Sequence, residues 1–449
     1  MSLTNYTIQN NAECQDVFYN VFMPEDPFDD SQEIVICSEK KYTDFRCPKC
    51  GQKMYSYEPF STYLKSFPAY PEHTRMIRFE GHRFRCSCCH ATITEPIPFK
   101  YPGTRITMRA SLWIETLLRN GIPANAIAKM SGIHWSTIRY VHKQLMDESL
   151  DKYEMELGLT SYKPRFLAID EFAIHKGHTY ATCVMDLATG YILWVGRGRA
   201  IADFEHFFKE YDQTKLTEVK AVAMDMNASY NKLVQEHLPQ AKVVYDRYHM
   251  QAQFGKEVLG VVRLDEARMH KDNANDMQEA LKDASAEDKP ALKERISEEK
   301  KNYRTLKKVR WPLLTNEDKL NPKSKEALQA IFAEHEDLAI CYSMKEEMIA
   351  LYELRDYDKA LAGWKRWFEA ALGSGIPALV RFAKIKLPRI DGLVNHALYP
   401  INTGKLEGFN NKIKVAKRRA YGYRDDEYFF TLIRYLSIPT VRGILPKKT

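Results

Sequence analysis

The chain has 449 residues, which is too long for one ordinary core and indicates two to four domains. A composition of 45% hydrophobic and 28% charged residues excludes a disordered or fibrous protein, and a net charge of +7 is only weak evidence for an anionic partner. No signal-peptide pattern or membrane-length apolar run is visible, so we expect a cytoplasmic protein without a membrane partner.

Five of the nine cysteines fall between residues 47 and 89. The pairs Cys47–Cys50 and Cys86–Cys89 each place two thiolates three residues apart, and two such knuckles supply the four ligands of a structural Zn²⁺. We therefore predict a zinc ribbon over residues 40–100, after an N-terminal segment of residues 1–39. The long spacer between the pairs is unusual, and reduced thiols without metal are the alternative. Other candidate ligands in this region are Cys88, His82 and His90.

Residues 104–150 predict three helices. The second and third are separated by the turn Ser131-Gly132-Ile133, which is the spacing of a helix-turn-helix. In that arrangement the exposed start of the last helix contacts DNA, and it carries Ser136, Thr137 and Arg139. A plain helical bundle with a short glycine turn is the alternative interpretation.

From Arg165 the pattern changes to strands. The runs "RFLAIDEFAI", "TYATCVMDLATG" and "YILWVGRGRA" predict an antiparallel meander, and helices then alternate with the strands "VKAVAMDM" and "AKVVYDRYHM". This order is typical of a mixed sheet of the ribonuclease-H type, here over residues 160–250. The charged, helical residues 251–395 are interpreted as an insertion before a final helix within 396–440. The fold class is therefore multidomain α/β.

Three of these strands end in a carboxylate: Asp170, Asp225 and Asp246. If the first and fourth strands are neighbours, Asp170 and Asp225 lie about 5 Å apart, close enough to share divalent cations. Each aspartate alone would equally suit a strand-terminating turn. Glu171 should point to the opposite face of the sheet because side chains alternate along a strand.

One acid, Glu407, lies in the final helix among many basic residues. It is either a solvated ion-pair partner or the last metal ligand beside a phosphate-binding surface. The basic residues that follow it are Lys412, Lys414, Lys417, Arg418 and Arg419.

Several strings together resemble bacterial insertion-sequence transposases of the ISL-three group, which have an Asp-Asp-Glu active site. They are "CPKC", "RFRCSCC", "TEPIPF", "AIDEFAIHKGHTY", "DRYH" and "EGFNNKIKVAKRRAYGYR", and the resemblance covers roughly Cys47 to Leu436. It implies that Asp170, Asp225 and Glu407 form the catalytic triad. It also implies that Asp246 and His249 form a supporting Asp-x-x-His signature.

The resemblance further implies phosphoryl transfer that uses two Mg²⁺ or Mn²⁺ ions. The expected partners are the terminal inverted repeats of the insertion sequence, the target DNA, and further copies of the chain in a synaptic complex at the bacterial nucleoid. Two other interpretations stay open: an inactive DNA-binding regulator derived from a transposase, and a hydrolytic ribonuclease-H-like nuclease.

Overall fold

The computed structural model of the protein describes residues 19–22, 34–38, 45–66, 75–158, 161–175, 179–226, 228–420 and 422–439. These residues divide between two compact units. The first unit falls within Met1–Leu157 and Lys412–Thr449, and the second within Gly158–Asn411. Among the described residues, no helix has the length and apolar character needed to cross a membrane.

A five-stranded sheet opens the first unit, with strand order β1-β2-β4-β3 and with β5 paired to β4. Its strands are β1 Tyr19–Phe22, β2 Ile34–Ser38, β3 Met54–Lys65, β4 Met76–Cys86 and β5 Thr92–Thr94. The antiparallel partners β3 and β4 form the long excursion between the two cysteine pairs, and Met54 lies opposite Cys86 where that excursion closes. The sequence did not predict β1 or β2, and β2 runs parallel to β4.

The three helices predicted after this sheet are confirmed. They are α1 Met108–Arg119, α2 Ala124–Ser131 and α3 Trp135–Glu156. Gly132 ends α2 with a φ of 62°, a left-handed conformation that glycine adopts without steric cost. The fully buried residues Ile114, Ile127 and Ile138 come from the three helices and form one core, which fixes their mutual arrangement.

The long helix α3 also packs against a C-terminal helix, α16 Asp426–Ser437. His142 Nδ1 lies 2.5 Å from the hydroxyl oxygen of Tyr428, and Arg434 pairs with Glu154 at 2.5 Å. The His142 side chain is buried, and burial lowers its pKa to about 4. His142 is therefore neutral at physiological pH.

We expect the burial of His142 to make the stability of this unit depend on pH. Its pKa in the folded unit lies below the unfolded value of about 6.5, so the unfolded chain binds more protons and stability falls as the pH falls from about 6.5 toward 4. The loss between pH 7 and pH 5 should be about 2 kcal/mol. Urea unfolding of the unaltered protein and of His142→Gln, at pH 7 and at pH 5, measures this loss of stability. An equal loss of stability in His142→Gln would show that His142 does not cause the pH dependence.

The second unit contains a five-stranded sheet of order β10-β9-β6-β7-β8. Its strands are β6 Phe166–His175, β7 Thr179–Asp186, β8 Ile192–Arg197, β9 Ala221–Met224 and β10 Lys242–Tyr245. The predicted meander is confirmed, since β6 pairs antiparallel with β7 and β7 with β8. The predicted adjacency of the first and fourth strands is confirmed as well, because β9 runs parallel to β6. Two helices, α4 Ile201–Glu210 and α5 Ala228–His237, connect these strands.

The stretch between β10 and the final helix is helical, as predicted, and its described residues contain no strand. Its helices are α6 Arg247–Phe254, α7 Gly260–Asp283, α8 Lys289–Lys308, α9 Arg310–Leu314, α10 Pro322–Glu334, α11 Glu336–Leu351, α12 Tyr357–Gly373, α13 Pro377–Lys386 and α14 Ile390–Val394. A π-helical turn, Gly255–Leu259, joins α6 to α7. The predicted final helix is α15 Gly404–Arg419.

Candidate functional site

Three aspartates meet at one edge of the second sheet. The parallel register pairs Ala168 of β6 with Ala223 of β9, and continuing it by two residues places Asp170 level with Asp225. On the other side of β9, Tyr245 pairs with Met224, so Asp246 is also level with Asp225. Adjacent strands lie about 4.8 Å apart, so three neighbouring strands place their carboxylates in a row across the sheet. Asp225 and Asp246 directly follow β9 and β10, as predicted, but β6 continues to His175, so the prediction that Asp170 ends its strand is wrong.

Asp246 fixes the positions of two helices. Its Oδ1 accepts hydrogen bonds from the backbone amides of Tyr248 and His249, at 2.8 and 3.2 Å, which caps the start of α6. Its Oδ2 accepts a bond of 2.9 Å from the backbone amide of Thr403, the residue before α15. The carboxylate is only 3% exposed, and both of its oxygens are used. Asp246 therefore attaches the helix of His249 and the helix of Glu407 to the same strand end.

His249 lies between the second and third predicted acids. Its Nδ1 is 3.7 Å from an oxygen of Asp225, and its Nε2 is 3.5 Å from an oxygen of Glu407. Ligand atoms of Asp246, His249 and Glu407 also lie within 4.8 Å of one another. The acids predicted from the sequence thus lie together at the sheet edge, and the imidazole of His249 lies among them.

Asp170 is the most enclosed of the predicted triad. Burial raises its pKa to about 6, because the charged form loses solvation. The amide nitrogen of Asn410, on α15, donates to Asp170 Oδ2 at 2.8 Å. Glu171 lies on the opposite face of the strand, as predicted, where it pairs with Arg199 at 3.8 Å.

The helical insertion contributes three residues that the sequence analysis did not select. Gln253 of α6 donates to Asp225 Oδ1 at 3.4 Å, and the buried Lys386 of α13 donates to the side-chain oxygen of Gln253. Arg389 donates to the carbonyl oxygen of Met226, next to Asp225, at 3.2 Å. These three residues are spread over the insertion and form no sequence motif that would have identified them.

The donor set at this edge suits a hard divalent cation. Carboxylate and amide oxygens are the ligands that Mg²⁺ and Mn²⁺ prefer. Asn410 Oδ1 is buried and has no hydrogen-bond partner among the described residues, so it is an available acceptor beside Asp170. A bound cation would also compensate the unfavourable burial of the Asp170 carboxylate.

The four predicted zinc ligands come together in the first unit. The Sγ atoms of Cys47 and Cys89 are 3.6 Å apart, those of Cys50 and Cys86 are 3.4 Å apart, and those of Cys50 and Cys89 are 3.6 Å apart. Tetrahedral zinc with Zn–S bonds of about 2.3 Å separates its sulfurs by about 3.8 Å, so the cluster is close to the size that zinc requires. Because β3 and β4 return the chain to its starting point, the long spacer is no obstacle.

The local backbone favours the thiolate form of Cys86. Backbone amides of Cys89 and Cys88 lower the pKa of the Cys86 thiol to about 6, and the Cys88 amide lies 3.4 Å from that sulfur. Cys88 itself is exposed and is not a member of the four-cysteine group. His82 bonds to Glu95 instead, at 3.2 Å. Of the candidate ligands in this region, the two cysteine pairs are the ones whose ligand atoms come together.

At the start of α3, Ser136 is exposed and Thr137 is half-buried. The Arg139 side chain makes contacts within the first unit. It forms an ion pair with Asp425, and its guanidinium carbon lies 4.6 Å from the ring centroid of Tyr428. Trp135 is 47% exposed beside it.

The basic residues of α15 differ in their surroundings. Lys414, Arg418 and Arg419 are exposed. Lys412 donates to the carbonyl oxygen of Leu436 at 2.9 Å, and Lys417 is half-buried, which lowers its pKa. The exposed residues are therefore the stronger candidates for contacts to phosphate.

Comparisons with known proteins show the family to which the chain belongs. The family model DDE_Tnp_ISL3, described as Transposase, matches residues 167–433. The transposase for insertion sequence element IS1001 of Bordetella parapertussis is 31% identical over 417 residues, covering 93% of this chain and 94% of that relative. The transposase for insertion sequence element IS1557 of Mycobacterium tuberculosis is 23% identical over 411 residues, covering 89% of this chain and 87% of that relative. These matches place the protein in the class of transposases. The chain belongs to the ISL3 family of insertion-sequence transposases.

Proposed function

We propose that the protein binds the terminal inverted repeats of an insertion sequence, cleaves the DNA strand at each end and joins the freed end to target DNA. The observation that carries this proposal is the level arrangement of Asp170 and Asp225 on adjacent parallel strands, with Glu407 and His249 beside them. The strand order, three antiparallel strands followed by two parallel ones beside the first, supports a ribonuclease-H-like catalytic domain.

In this proposal Asp170, Asp225 and Glu407 hold the divalent metal ions. Bound Mg²⁺ supplies activation of the attacking oxygen and stabilisation of the leaving oxygen. Asn410 orients Asp170, and Gln253 orients Asp225, each through a direct hydrogen bond. Asp246 positions His249 and Glu407 through backbone amides, so we assign it a positioning role.

Recognition of the ends belongs, in this proposal, to the helix-turn-helix and the zinc ribbon. The exposed start of α3 would contact base edges, and the exposed basic residues of α15 would contact phosphates. Because α15 carries Glu407 in its first turn and this basic stretch at its end, one helix would have both a catalytic and a DNA-binding function.

The test is a reaction with purified protein, Mg²⁺ and labelled duplex carrying the ends of the insertion sequence. We expect nicks at the ends and, with target DNA present, joined products. Nicking without joining would indicate a hydrolytic nuclease. End binding without either product would indicate a regulator, and both results would contradict the proposal.

A second expectation concerns base recognition by α3. Ser136→Ala should reduce the preference for end DNA over random DNA by about five-fold, because one hydrogen bond to a base contributes about 1 kcal/mol. Ser149→Ala is the matched control, since Ser149 lies on the same helix and donates to its own backbone, at Leu145. Competition binding measures both. Equal preference in Ser136→Ala and the unaltered protein would place base recognition elsewhere.

A further inference from the structure

The helical insertion carries a basic stretch that the sites described above do not include. From Lys300 to Asn316 the sequence has six basic residues and no acidic one. The exposed ones are Lys301, Arg304, Lys307, Lys308 and Arg310. Within the described part of the chain, no ion pair to any of these five is found. We name these five residues, together with Trp311, the insertion surface.

Trp311 is 70% exposed, although an indole ring normally gains free energy from burial. The guanidinium carbon of Arg310 lies 5.2 Å from its ring centroid, so a planar cation borders the exposed ring. A large exposed aromatic side chain with cations around it is typical of a binding surface.

The helix that carries Trp311 is held rigidly from behind. Val309 and Leu313 are buried on the inner side of α9. The buried Lys345 donates to the carbonyl oxygens of Leu313 and Thr315, at 3.1 and 2.7 Å, which satisfies the end of the helix. The backbone that carries the ring is therefore held in place, which lowers the entropy lost when a ligand binds.

The insertion surface is also linked to the active site through direct packing. A Cβ atom on Gly255 would lie 2.5 Å from Leu314 Cδ2, so α9 contacts the π-helical turn with no space between them. That turn continues α6, whose residues His249 and Gln253 contact Asp225. The insertion surface and the acids thus belong to one packed structure.

We propose that the insertion surface binds the DNA on which the active site acts, with its basic side chains on phosphates and Trp311 stacked on an unpaired base. Lys301, Arg304 and Lys308 follow one face of α8 at spacings of three and four residues, a row that suits an extended chain of phosphates. Cleavage and joining create strand ends, where a base face is open to stacking. This inference rests on the proposed function.

The composition of the surface favours DNA over a protein partner. Protein interface cores are rich in Trp and Arg but poor in Lys, and three lysines belong to this surface. Base stacking on an aromatic ring within a basic groove is the recurring mode of single-strand binding. A second copy of the chain is the competing occupant.

The charges are tested with Lys301→Gln/Arg304→Gln/Lys308→Gln, using end DNA without added Mg²⁺ or Mn²⁺ so that no cleavage occurs. The slope of log affinity against log salt should become shallower by roughly two to three, because each phosphate contact contributes about 0.7–0.9. The control Lys282→Gln/Lys289→Gln/Lys293→Gln removes the same charge from exposed positions near acidic residues of α7 and α8. An unchanged slope, or an equal change in both variants, would overturn the inference.

The stacking is tested with Trp311→Ala and Trp311→Phe on two DNAs, a blunt duplex and the same duplex with a short single-stranded extension. We expect Trp311→Ala to bind the extended DNA about ten-fold more weakly, with little change on the blunt duplex, and Trp311→Phe to keep most of the affinity. Equal affinities in all three proteins, or a shift in sedimentation that shows loss of self-association, would overturn it. If the unaltered protein cleaves and joins DNA while these variants bind normally, only this inference fails.

Discussion

Asp225→Ala is expected to abolish both strand cleavage and strand joining while leaving binding to the ends intact. Asp170→Ala and Glu407→Ala should have the same effect, because each removes one of the proposed oxygen ligands from the same site. We expect a loss of at least about a thousand-fold in rate, since charge stabilisation by the metal-bound site is the main source of catalysis in phosphoryl transfer. Gel analysis of labelled end DNA with Mg²⁺ measures cleavage, and a binding assay without added Mg²⁺ or Mn²⁺ measures retention of the fold.

The matched control is Glu171→Ala. Glu171 is the neighbour of Asp170 on the same strand, but it points to the other face and pairs with Arg199. We expect cleavage to survive this change. Full cleavage by Asp225→Ala would remove Asp225 from the proposed metal ligands.

The roles of Asp225 and Asp246 can be separated by changing the metal preference. Asp225→Cys should recover some cleavage with Mn²⁺ but not with Mg²⁺, because a thiolate is a softer ligand than a carboxylate. Asp246→Asn should lower activity without abolishing it, since the amide oxygen can still accept a backbone hydrogen bond. Rescue by Mn²⁺ in Asp246→Cys alone would show that the two residues exchange roles, an arrangement compatible with the proximity of Asp246, His249 and Glu407.

Cys47→Ser and Cys86→Ser are expected to release about one zinc ion per chain and to weaken binding to the ends. Zinc supplies much of the folding free energy of small cysteine centres, on the order of 10 kcal/mol in zinc-finger peptides. Both cysteines are also buried against Met54 and Phe84, so loss of the metal should loosen this part of the sheet. Metal analysis of the purified variants measures the zinc content.

Cys88→Ser provides the control for this experiment. Cys88 lies within the same turn but is exposed and outside the four-cysteine group, so zinc content and DNA binding should stay unchanged. Zinc loss in Cys88→Ser with retention in Cys86→Ser would show that the ligands are wrongly assigned.

Much of the candidate site could be predicted because its residues occupy positions that short-range patterns define. The apolar runs before Asp170, Asp225 and Asp246 are visible in the sequence, and parallel pairing places the three residues level with one another. The sequence did not show that β6 continues past Asp170 to His175. The cysteine pairs are equally local, since each knuckle is a single turn. Chain order then predicted that the strand of Asp225 pairs with the strand of Asp170.

The residues that were not predicted depend on contacts between distant parts of the chain. Gln253, Lys386 and Asn410 reach Asp225 and Asp170 only because the insertion and α15 fold back on the sheet. Strands β1 and β2 have four and five residues, too few for their periodicity to stand out in the sequence. Arg139 shows the opposite case: its position near the start of α3 was predicted correctly, but its pairing with Asp425 was not visible.

The hydrogen bond from Thr403 to Asp246 spans the whole helical insertion, and this separation has a consequence for biosynthesis. A ribosome completes the sheet well before it reaches Glu407, so the nascent chain exposes its first two acids without the third. Bonds between such distant residues close late in folding, because the entropy of the intervening loop must be overcome first. The proposed metal site is therefore complete only after the insertion has folded, so its assembly reports on the folding of the whole second unit.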